Sequence, residues 1–203
     1  MMDPILNDEQ REALQEIANI GMGQAGASIA KVLSEFVVLS IPRISSAATA
    51  DFSDAVARLV GDTLLTAVRQ AFIGEFRGEA LVIYPDVSVT ELGAIMGYDD
   101  TLDRAAEQEI MLDIANVLIG ACLNSIADLL GLMIGFSMPS LMAENVPASQ
   151  LLGSEELESK CALLVEVNFK LEKGNFSCHL VILTLEDDIA TLSNALDKFI
   201  ATL

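Results

Sequence analysis

From Leu14 onward, the apolar residues Leu14, Ile17, Ala18, Met22, Ala25, Ile29, Val32 and Leu33 recur at steps of three and four. That spacing is the stripe of a long amphipathic helix. Asn7 or Asp8 stands where it can cap the helix, and Glu12 lies early enough to favour its positive end. The helix should stop near Ser34, because Phe36 to Ile41 is a β-branched and aromatic run closed by Pro42. A short helix is expected from about Asp51 to Val60. Strands over Thr63 to Phe72 and Phe76 to Tyr84 then form a hairpin, and Ser88 to Met96 forms a small helix. The second half follows the same plan. It should hold a helix from about Asp103 to Leu130, a strand near Met133 to Met138, a loose acidic stretch through Glu158, and a hairpin from Cys161 to Leu185 turning at Gly174-Asn175. A closing helix runs from about Glu186 to Ile200. Only Ser45 to Thr49 and Ala143 to Glu158 read as flexible connections.

The two halves match residue for residue. Glu16-Ile17-Ala18-Asn19 returns as Asp113-Ile114-Ala115-Asn116, an offset of 113 − 16 = 97 positions. The same offset pairs Gly23 with Gly120, Ser28 with Ser125, Ile29 with Ile126, Ala30 with Ala127, Leu33 with Leu130, Ser40 with Ser137 and Pro42 with Pro139, without a gap. A repeat this long lies outside the short-period solenoids and implies one structural unit packed against its copy. The expected fold class is therefore α+β. Pseudo-two-fold halves, about 1–100 and 101–203, each helix, strand, hairpin and helix, share one β-sheet with the two long helices packed on it in a single domain. A site in one half should have a counterpart in the other.

Composition narrows the function. The chain of 203 residues is 52% hydrophobic, yet its most apolar run, Leu129 to Met142, is broken by Gly131, Gly135, Ser137, Pro139 and Ser140 and falls short of the ~20 residues a spanning helix needs. No membrane insertion is expected. The first nine residues are acidic where a secretory signal is basic, which points to a cytoplasmic location. Cys122, Cys161 and Cys178 are odd in number and far apart, and no histidine stands at ligand spacing, so they read as buried thiols. His179, the only histidine, sits in an alternating run and reads as a strand-face residue, not a catalytic base. A net charge of −19 repels a phosphate backbone and excludes nucleic acid as a partner. It suits solubility, or steering toward a basic patch on a protein.

The candidate chemistry is the repeated acid-x-x-Asn. Residues three apart on a helix lie about 60° apart around the axis, with Cβ atoms roughly 5 to 6 Å apart. Glu16 with Asn19, and Asp113 with Asn116, therefore each present a carboxylate and an amide as one patch. Asn forms helices poorly because its side chain competes for backbone hydrogen bonds, so an Asn inside a helix calls for a reason. A solvated helix face explains one such pair. Two at the same phase of repeated helices point to function.

Here the residues reach a known family. Glu16-Ile17-Ala18-Asn19-Ile20-Gly21-Met22-Gly23-Gln24-Ala25, with Pro42 closing the next strand, resembles the first signature of the CheC-like chemotaxis phosphatase family (CheC, CheX and FliY type). Asp113-Ile114-Ala115-Asn116-Val117-Leu118-Ile119-Gly120 is similar to the second signature, and the repeat plan extends the resemblance over essentially the whole chain. The resemblance implies a phosphatase for the aspartyl phosphate of a CheY-like response regulator. Asn19 or Asn116 would hold the attacking water, and Glu16 or Asp113 would pair with the regulator's lysine. The only metal implied is the regulator's own Mg²⁺; no cofactor of this chain is required. The alternative it leaves is an adaptor that docks a regulator, a flagellar switch component or a CheD-like deamidase without hydrolysis. Two departures stand out. Asp113 replaces the favoured glutamate, withdrawing the carboxylate by roughly 1.5 Å, a misplacement that can cost ~10²-fold, which ranks the first site above the second. Gln24 replaces a common asparagine and is expected to tune helix packing. A dinucleotide enzyme is the remaining reading of Gly21-x-Gly23-x-x-Gly26, but those glycines lie inside a helical pattern with no strand before them.

Overall fold

A computed structural model describes residues 6–45, 56–58, 60–61, 63–85, 103–151, 161–172, 176–185 and 188–202, excluding the side chains of 161–164 and 185. The first long helix, α1 (Asp8–Leu33), opens on a capping box in which the Asn7 side chain accepts from the Gln10 amide at 2.8 Å and Gln10 Oε1 accepts from the Asn7 amide at 3.1 Å. Strands β1 (Val37–Leu39), β2 (Arg43–Ser45), β3 (Leu64–Gly74) and β4 (Gly78–Pro85) follow. The second long helix, α2 (Arg104–Leu130), is capped by the Asp103 carboxylate on the Ala106 amide at 2.9 Å and ends at Gly131, whose φ of 66° only glycine adopts readily. Then come β5 (Ile134–Phe136), β6 (Ser140–Pro147), a 3-10 turn (Ala148–Gln150), β7 (Cys161–Leu171), β8 (Ser177–Leu185) and α3 (Ile189–Ile200).

The eight strands among the described residues join one sheet in the order β1-β7-β8-β4-β3-β5, with β2 also on β7 and β6 also on β3. The two hairpins meet where β4 pairs with β8. Each half sends its short arm to the other half. β1 and β2 lie on β7, and β5 and β6 lie on β3. The register obeys the sequence offset: Leu39 faces Phe169 as Phe136 faces Phe72, and Ile44 faces Val165 as Leu141 faces Val68. Ser40 exchanges bonds with Asn168, amide to carbonyl at 3.0 Å and amide to Oγ at 3.0 Å. Its repeat-mate Ser137 does the same with Ala71 at 2.9 and 3.0 Å.

The sheet is covered on both faces. Ala80, Val82 and Tyr84 of β4 and Cys178, Leu180 and Ile182 of β8 pack under the helices, while Leu81, Ile83, Val181 and Leu183 face a second cluster with Val56, Val60 and Leu151. Alternating residues thus explain the continuous apolar runs. Contrary to the expectation from the broken run over 129–142, helix α2 is long and apolar enough to cross a bilayer, but most of that apolar stretch is buried against α1 and the sheet. The helices touch at Gly21, where a Cβ would stand 3.0 Å from the Cys122 carbonyl.

Several sequence expectations change. Ala143 to Glu158 does not begin as a loose connection, because β6 runs to Pro147 and the 3-10 turn follows it. The strand expected over 36–41 and closed by Pro42 is shorter, since β1 stops at Leu39, and pairing resumes directly after the proline in β2. Val32 leaves the buried stripe of α1 and is exposed, as is its repeat-mate Leu129. Of the short helix expected over 51–60, residues 56–58 and 60 are helical. The small helix over 88–96 and the turn at Gly174-Asn175 lie outside the described residues. Cys122 and Cys178 are free and buried, and burial pushes both thiols up.

His179 is buried on the sheet face away from the long helices, and burial holds its imidazole below the ordinary value. The folded chain therefore binds fewer protons at this site than the unfolded chain, whose histidine titrates near ~6.5. Stability is full above that pH and falls as pH drops through it toward the folded value. Urea midpoints of His179→Leu and the parent protein should run parallel above about pH 7, and the parent's should fall relative to the variant's on acidification. A constant offset down to about pH 5 would contradict this.

Candidate functional site

The capped α1 frame buries Ile17, Ala18 and Met22 and turns Glu16 and Asn19 outward; both are exposed. On α2, Ile114, Ala115 and Leu118 are buried, and Asp113 and Asn116 are exposed. The phase is the same on both helices. No cation among the described residues pairs with Glu16 or Asp113. One turn beyond each amide comes a glycine, Gly23 or Gly120, and a Cβ at either would meet nothing within 4 Å among the described residues. Each glycine therefore leaves a strip of bare helix backbone beside an Asn, and packing among the described residues does not require it. Gln24 is exposed, so its expected part in helix packing is not what the fold uses it for. The Gly21-x-Gly23-x-x-Gly26 run lies wholly inside α1, which leaves no loop to cradle a phosphate.

The two pairs differ in what stands behind them. Asn116 Oδ1 accepts from Gln70 Nε2 at 3.0 Å, and that nitrogen also donates to the Ser137 carbonyl at 2.8 Å. No hydrogen bond reaches the Asn19 side chain from the described residues. The offset carries Gln70 to Val167, which is buried and has no amide to offer. Sequence reasoning passed over Gln70, although one signal was available: a polar residue between Val68 and Phe72, both of which face the helices. Among the described residues, no group of three or more His, Cys, Asp or Glu gathers to hold a metal ion. Each site offers an acceptor carboxylate, an amide that can donate and accept, and open backbone. That equipment can align a water or a charged partner group.

No family model matches the chain. Solved structures do. FliY of Thermotoga maritima superposes with a TM-score of 0.70 at 16% identity, covering 96% of this chain and 98% of that one. The FliM middle domain of H. pylori gives 0.61 at 7% identity over 94% and 99%. The chemotaxis protein CheX of Desulfovibrio desulfuricans gives 0.55 at 13% over 82% and 99%. The chain has the CheC-like fold that these proteins share, as its two helix motifs led one to expect.

Proposed function

We propose that this chain is a CheC-like chemotaxis protein that hydrolyses the aspartyl phosphate of a CheY-like response regulator. The observation that carries this reading is the duplicated, outward-facing acid-x-x-Asn pair, with neither carboxylate matched to a cation among the described residues. An acyl phosphate already sits beside the regulator's own Mg²⁺ and lysine, so a helper need only orient water for in-line attack. Asn19 and Asn116 supply the orienting amides. Glu16 and Asp113 pair with the regulator's lysine and set the docking register. A second reading, a docking module for a flagellar switch component or a CheD-like deamidase, is favoured by the fold shared with FliM.

Decay of a phosphorylated regulator with and without the protein separates the two. Acceleration at substoichiometric protein supports hydrolysis. Binding without acceleration selects the docking reading.

The bare backbone at Gly23 yields a further expectation. Gly23→Ala should stabilise α1 by about 0.5–1 kcal/mol, since glycine is a poor helix former and the added methyl meets open space. The same methyl should weaken binding of the phosphorylated regulator, because it stands one turn from Asn19 on the docking face. A raised Tm with unchanged affinity would remove Gly23 from the contact surface.

A further inference from the structure

Gln70 lies on the helix-facing side of β3, flanked by Val68 and Phe72, and is 2% exposed. An amide so placed must find partners or cost free energy. Its Nε2 bonds both the Ser137 carbonyl and Asn116 Oδ1, while Oε1 is buried and has no partner among the described residues. The orientation is dictated by chemistry. A backbone carbonyl can only accept, so Ser137 must face the Gln70 nitrogen, and the remaining N–H must point at Asn116. Asn116 is then obliged to turn its oxygen inward. Its Nδ2, with both hydrogens, and one Oδ1 lone pair are left for a partner.

The terminal torsion of an asparagine is otherwise broad, so an exposed amide samples many orientations. Keeping Gln70 is costly for the fold, because an orphaned buried oxygen destabilises by roughly 1–3 kcal/mol. The other half shows the inexpensive solution. Val167, the repeat-mate of Gln70, is also 2% exposed and carries no polar atom, although the serine–strand exchange beside it is the same on both sides.

We infer that Gln70 is a positioning residue that fixes the Asn116 amide in one orientation, so that the second acid-x-x-Asn pair is preorganised and the first is not. For its bearing on turnover, the inference rests on the phosphatase reading; the orientation of Asn116 does not. It also opposes the ranking by reach, in which Asp113 handicaps the second site. A fixed amide would offset a shortened acid.

Gln70→Met and Gln70→Leu keep the volume of the side chain and remove its donor. The Asn116 side-chain amide, assigned by its loss in Asn116→Ala, should be ordered in the parent protein, and its order parameter should fall below about 0.6 in either variant. With Asn19→Ala in place, so that only the second pair acts, either substitution should lower kcat for regulator dephosphorylation about tenfold and leave KM within about twofold. An order parameter unchanged by the substitutions overturns the inference, whatever the turnover. So does loss of order with kcat retained, provided that Asn116→Ala lowers kcat. If no form of the protein accelerates decay, the phosphatase reading fails, and the order parameter alone decides whether Gln70 fixes Asn116.

Discussion

The paired substitution Asn19→Ala with Asn116→Ala is expected to lower turnover of a phosphorylated response regulator by at least ~10²-fold while the protein stays folded and still binds. Both side chains are exposed, so their loss opens no cavity. At position 19 shortening Asn to Ala raises helix propensity, while at position 116 that gain is set against a buried Gln70 N–H left without its acceptor, a loss of about 1–3 kcal/mol that the fold should withstand. Binding should persist because Glu16 and Asp113 remain to meet the regulator's lysine. Either single variant should retain part of the activity, and the partition between them weighs reach against preorganisation. Dominance of Asn19 favours the longer acid, and dominance of Asn116 favours the amide held by Gln70. Single-turnover decay in excess protein is the measurement. A double variant that dephosphorylates as fast as the parent would mean that the amides are not the catalytic groups.

The largest effect on stability is expected at Gly78. It pairs with Thr184 of β8 on one side and with Phe72 of β3 on the other, in the centre of the sheet where the halves join. A Cβ there would stand 2.1 Å from the Leu183 carbonyl oxygen and 2.5 Å from the Phe72 ring. Neither neighbour can yield. The carbonyl belongs to the backbone of a paired strand, and Phe72 is itself buried and packed against Phe76 in a tilted pair with ring centroids 5.1 Å apart. Gly78→Ala should therefore cost ~3 kcal/mol or more, at the upper end of overpacking effects. Gly23→Ala, where the methyl meets nothing, provides the control of opposite sign. Urea midpoints for the two variants test the contrast, and a loss below about 1 kcal/mol at Gly78 would mean that β4 and β8 shift apart at little cost.

The parts of this architecture legible in the sequence are those whose cause is local. Asn7 and Asp103 cap α1 and α2, and the stripes through Ile17 and Ile114 have helical period, so both long helices could be read within a residue or so of their ends. The hairpins were legible from alternating runs. What escaped was non-local. β2 is three residues long and follows a proline, and β6 carries Glu144 and Asn145, the latter at a φ of 54°, so each reads locally as loop. Each becomes a strand only because the hairpin of the opposite half accepts it. The acid and amide pairs were visible because they repeat. Gln70 was not, since its partners Asn116 and Ser137 lie 46 and 67 residues away and nothing near it in the chain announces them.

The exchange of arms also gives the chain an unusual inheritance. In a simple tandem copy, mutations in one half would refine that half's own motif. Here the residue that grips Asn116 belongs to the first half, and the equivalent place beside Asn19 belongs to the second. Each copy is thus the environment in which the other evolves. A neutral change on β3 or β7 can specialise the distant motif without touching its acid or its amide, so the two motifs can diverge in behaviour while their signatures still look alike.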